Sequence, residues 1–60
     1  MIQVEIIENV SESLVVEEAN YFLSHLEEAL FIDIRFSSFL MHKNDEVITK
    51  YCILIIYRVL

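Results

Sequence analysis

The sequence predicts a small single-domain α+β protein, a βαββ unit whose three-stranded antiparallel sheet, in the order first, third, second, packs on one helix. Three observations carry this. Apolar and polar residues alternate with period two over 2–7 and 31–40, the period changes to 3.6 over 12–29, and 47–59 is apolar at nearly every position. The domain therefore spans 1–60.

In the first strand, Ile2, Val4 and Ile6 alternate with Gln3 and Glu5, which reads as a strand with one wet face at the sheet edge. Asn9 or Ser11 is placed to accept hydrogen bonds from the free amides of a following helix, and Glu12 suits its positive end. Val15, Ala19, Phe22, Leu26 and Ala29 then form a helical stripe widened by Val16, Leu23 and Leu30. No glycine marks the helix end. In the second strand Ile32, Ile34, Phe36 and Leu40 share one face, opposite Asp33, Arg35 and Ser37. The polar cluster Met41–Glu46 holds Asn44 and Asp45, which tolerate tight turns, so a hairpin is expected into the last strand.

Topology follows from connection rules. A helical crossover makes the first two strands parallel, and a hairpin reverses the third, which fits all directions only between them. With Ile32, Ile34 and Phe36 facing the helix, the inward residues of the last strand are Val47, Thr49, Tyr51, Ile53, Ile55 and Tyr57. The other parity would bury Lys50 and Arg58. Cys52, Leu54 and Ile56 then point away from the helix. With Ile7 and Phe31 beside them, they are expected to form an apolar subunit interface rimmed by Glu5, Asp33, Arg35 and Arg58.

Composition strengthens the expectation of self-association. At 57% hydrophobic residues the chain exceeds the usual ~45–50% of soluble domains. A domain of this length buries only about 60% of its unfolded surface. Its single cysteine excludes an internal disulfide, so a homo-oligomer is the expected source of extra stability. All charged residues among the first thirty are glutamates, and the net charge is −6. That balance disfavours nucleic-acid phosphate and acidic membrane surfaces, and it suits the helix face to a basic protein partner. Met1 is not followed by a signal-peptide pattern, and no apolar run reaches the ~20 residues of a membrane span, so cytoplasmic residence is expected.

Catalytic and cofactor readings are weaker. His25 and Glu28 are spaced i, i+3, but two ligands on an exposed helix are more simply a solvated face. Cys52 lies in an apolar run without an orienting base, and the adjacent pairs Glu17-Glu18 and Glu27-Glu28 diverge around a helix instead of facing across a cleft. A glycine-rich phosphate loop is impossible without glycine. The aromatic residues Phe31, Phe36, Phe39, Tyr51 and Tyr57 are chiefly core candidates. The expectation is a protein that is not an enzyme and has no metal or cofactor.

Several stretches together resemble a family of small uncharacterised sporulation proteins from Bacillus relatives, also carried by their phages. They are Ile2-x-Val4, Glu17-Glu18-x-Asn20-x-Phe22-Leu23-x-x-Leu26, Ile32-Asp33-Ile34-Arg35-Phe36 and Tyr51-Cys52-x-Leu54-Ile55-Ile56-Tyr57-Arg58. The resemblance implies sporulation-associated expression and brings no catalytic residues. The element order is also similar to that of dodecins, whose flavin stacks on a tryptophan this chain lacks. A self-assembling, non-enzymatic sporulation-associated protein is the leading expectation. The alternative is a phage-type acidic inhibitor, or a nucleotide-sequestering protein using Arg35 and Arg58 as anion contacts.

Overall fold

The computed structural model describes all residues, Met1–Leu60. It contains β1 (Ile2–Asn9), α1 (Glu12–Ser24), a single 3-10 turn (Glu28–Leu30), β2 (Phe31–Lys43) and β3 (Glu46–Arg58). The three strands form one sheet in the order β1-β3-β2, with both neighbouring pairs antiparallel. Two mutual hydrogen bonds between Met1 and Val59 carry the β1–β3 ladder one step beyond the assigned strands.

Local chemistry sets the helix ends. Ser11 is extended at φ −102° and its Oγ accepts from the Leu14 amide, while Asn9 Oδ1 accepts from the Ser11 amide at 3.0 Å. The helix stops at Ser24, five residues short of the expected end at 29. Ser24 Oγ donates to the Tyr21 carbonyl at 2.7 Å, and His25 Nδ1 lies 2.9 Å from the same oxygen, so side chains occupy an acceptor at the free end of the helix. The amides of His25 and Leu26 bond three residues back, tightening the turn, and continuing would add Glu27 and Glu28 to the negative helix pole.

The β2–β3 hairpin turns at Asn44 and Asp45, with φ of 51° and 63°. Two left-handed residues between Lys43 and Glu46 make the type I′ geometry whose twist suits paired strands, and Asn and Asp tolerate that region better than other non-glycine residues. Pairing with β3 is regular from Asp33 to Lys43, so β2 runs three residues past the expected Leu40. A β-bulge at Ile32 separates the Phe31–Tyr57 pair from the Asp33–Ile56 pair.

The helix lies over β1 and β3, where Val15, Ala19, Ile7, Ile53 and Ile55 form the buried core. Phe22, Leu23, Tyr51 and Tyr57 pack around it, and the Phe22 and Tyr57 rings meet edge-on at 5.3 Å. This is a thin core. The accessible surface is 4681 Å², against roughly 4,100 Å² for a folded monomer of this mass. The radius of gyration is 13.5 Å, against about 10 Å for a compact chain of this length. The excess has a visible source. β1 pairs only with Tyr51–Arg58, so the far end of the hairpin projects as a two-stranded ribbon from a molecule 45 Å long.

Candidate interaction surface

Register determines which side chains share a face. In β3, Tyr51, Ile53, Ile55 and Tyr57 lie on the helix side, and Cys52, Leu54, Ile56 and Arg58 lie on the back. The partners of Arg58, Ile56 and Leu54 across β1 are Ile2, Val4 and Ile6, whereas Ile7 pairs with Ile53. β1 is therefore turned over relative to the sequence-based expectation. Ile7 is a core residue, only 7% exposed, and is no part of the back-face interface. Glu5, opposite Ile55, likewise belongs to the helix side and not to the back rim.

Phe31 requires a second correction. Its partner is Tyr57, a helix-side residue, because the extra residue Ile32 inverts the alternation before Asp33. Ile34 and Phe36 pair with Ile55 and Ile53 and keep the expected side. Asp33, Arg35, Ser37, Phe39 and Met41 point to the back.

These corrections enlarge the apolar face. Ile2, Val4 and Ile6 are 60%, 50% and 58% exposed and lie beside the half-buried Cys52, Leu54 and Ile56. Ile48 and Phe39 extend the strip along the ribbon. No element of the chain covers this side. The back of β3 is roughly 40 Å long at ~3.3 Å per residue, and its apolar positions from Ile48 to Ile56 cover about 26 Å of that. Its polar margin holds the ion pair from Arg35 Nε to Asp33 Oδ2 at 2.9 Å and, at the Ile2 end, Arg58, while Lys50, whose Nζ is 3.2 Å from Glu8 Oε2, lies within the strip between Cys52 and Ile48. The Arg35 guanidinium, helped by the Ile34 amide, holds the Asp33 carboxyl below its ordinary range. Alternation in β1 contained the signal for Ile2, Val4 and Ile6, but their phase relative to β3 is visible only in the register.

Other candidate sites do not converge. Arg35 lies opposite Leu54, four residues along β3 from Arg58, so the two cations are roughly 13 Å apart along the strand and do not clamp one anion within a chain. The helix ends before His25, and Glu28 sits in a separate turn, which removes the helical i, i+3 relation between them. No three His, Cys, Asp or Glu side chains are arranged as a metal site. Cys52 is a free thiol, half-buried on the back face. On the helix side, Glu5, Ile7, Leu14, Glu17, Glu18, Tyr21 and Phe22 line an open depression of about 560 Å³.

No helix is long and apolar enough to cross a membrane. No curated protein and no solved structure matches the chain, so the likeness to dodecins rests on element order alone. The family model described as sporulation protein Cse60 matches residues 1–59. With that match covering all three strands and the helix, the chain belongs to the sporulation protein Cse60 family.

Proposed function

We propose that this sporulation-family protein is non-enzymatic and cytoplasmic, and works as a self-assembling unit whose sheets pack through their back faces. The observation that carries this reading is the inverted β1. Its apolar residues Ile2, Val4 and Ile6 lie on the uncovered side, while Gln3 and Glu5 face the helix side. Alternation of this kind places the dry face of a strand against a second layer. Here that layer is absent from the chain itself, and a second copy supplies a surface of the same shape and character. Large exposed apolar patches on monomers are often functional.

Light scattering on the wild type and on the Leu54→Glu, Ile56→Glu variant tests the proposal. The wild type is expected above the 7.1 kDa of one chain, and the variant at a lower mass with its far-ultraviolet circular dichroism retained. A wild type that stays monomeric at micromolar concentration would sink the idea.

A second reading, a basic protein partner, is favoured by the depression beside α1, where Glu5, Glu17 and Glu18 surround Leu14 and Tyr21. Its test is competition by a basic peptide, with Glu17→Lys and Glu18→Lys expected to abolish binding.

A further inference from the structure

We propose that β2 of one copy pairs antiparallel with β2 of a second copy about a two-fold axis through Ser38, joining two sheets into a continuous six-stranded one. This deepens the self-assembly reading above by adding a contact at the sheet edge, distinct from its back face.

β2 is an edge strand of 13 residues, with β3 on one side and no strand on the other. It contains no proline, and its one bulge lies at the Phe31 end, leaving the ladder from Asp33 to Lys43 regular. Natural proteins protect such an edge with short length, proline, bulges or charged side chains because its free N–H and C=O groups recruit another strand. Of these devices the regular length of β2 carries only charges of both signs, Asp33, Arg35 and Lys43, which a second copy can pair.

The register follows from geometry and charge. Alternate residues of an edge direct both backbone groups outward, so two copies of one edge can hydrogen-bond only when the paired residue numbers have an even sum. The midpoint of Asp33–Lys43 is Ser38. A two-fold axis there uses the whole regular segment and sets Asp33 opposite Lys43 twice, a favourable cross-strand charge pair. It also sets Phe36 opposite Leu40 twice, and these are among the most exposed apolar side chains of the strand, at 55% and 65%. An axis at Ser37 would place both charges against apolar residues, Asp33 against Met41 and Arg35 against Phe39, whereas the Ser38 axis so places only Arg35, against Met41. One at Phe39 would place Arg35 against Lys43, which repel. The favoured register forms about ten backbone hydrogen bonds and leaves both helices on the same face.

The other free edge is a poorer partner for itself. Charges on β1 are confined to Glu5 and Glu8, so pairing two copies concentrates like charge, whereas β2 carries both signs.

Cysteine cross-linking reads the register directly. In a Cys52→Ser background that also carries Leu54→Glu and Ile56→Glu, Ser38→Cys is expected to form a disulfide-linked dimer under mild oxidation. Residues opposite each other at a two-fold axis have Cβ atoms ~4.5–5.5 Å apart, close to disulfide reach. Ser37→Cys in the same background is expected to stay largely unlinked. Equal or faster linking of Ser37→Cys overturns the register, and failure of both overturns edge pairing. Because the back face is already disrupted, a persistent Ser38→Cys dimer separates this contact from the back-face one. Charge reversal supplies the second measurement. In the Leu54→Glu, Ile56→Glu background, Lys43→Asp is expected to lower the mass to that of a single chain, and Asp33→Lys added to it to restore twice the 7.1 kDa. No restoration counts against the Asp33–Lys43 pairing.

Discussion

Ile55 and Ile56 are neighbours in sequence with different tasks, and truncating each measures how well the faces are separated. Ile55 has no exposed surface and lies in a core of five residues. Ile55→Ala removes its outer methyl and methylene groups from that core, and substitutions of this kind cost about 2–5 kcal/mol. A 60-residue domain has a total stability of roughly 3–9 kcal/mol at ~0.05–0.15 kcal/mol per residue. At the centre of these ranges the variant loses roughly half of its stability, seen as a large fall in the urea midpoint at unchanged slope. Ile56 is half-buried on the uncovered face, and Ile56→Ala should cost less than about 1.5 kcal/mol in dilute protein. Its larger effect should appear as lost concentration dependence of the midpoint, since association stabilises only the folded chain. Comparable losses for both variants in dilute protein, or a loss below about 1 kcal/mol for Ile55→Ala, would refute the assigned parity.

Two further outcomes are expected. Asp45→Gly relieves a left-handed non-glycine residue at φ 63° and should stabilise the hairpin by up to about 1 kcal/mol after the entropy lost by glycine, read as a raised Tm; a lowered Tm would count against the turn assignment. The Asp33 carboxyl is held below its ordinary range in the folded chain, so its ionised form favours folding above the unfolded-state value, and that contribution disappears as pH falls through the folded-state one. Asp33→Asn should therefore flatten the acid limb of stability against pH, with a small effect because the side chain is exposed to solvent screening; an unchanged limb contradicts the Arg35 pairing.

Much of the architecture is legible in the residues. The change of period from two to 3.6 and back places one helix after the first strand, and connection rules then leave the order β1-β3-β2 as the arrangement that fits every strand direction. Lys50 and Arg58 assign the two faces of β3, because neither can be buried cheaply beneath a helix. The helix length is less legible, since the apolar stripe continues through Leu26 and Ala29 while Ser24 and His25 cap the Tyr21 carbonyl.

The faces of the outer strands are decided differently. The Ile6-Ile7 pair offers both phases of β1, and a wet-face rule assumes that the dry side meets the helix. In the fold, Ile7 fills the space against Ile53 and the Ile2, Val4, Ile6 row turns to the open side. Phe31 changes sides because one bulged residue shifts the alternation, a defect that a period-two pattern does not announce. The elements, their order and the surplus of apolar residues are readable along the chain, because they depend on local periodicity and composition. Where that surplus lies is a matter of the folded sheet, because strand phase is set by pairing across chain segments about fifty residues apart, through contacts such as Ile7 with Ile53 and Val4 with Ile56.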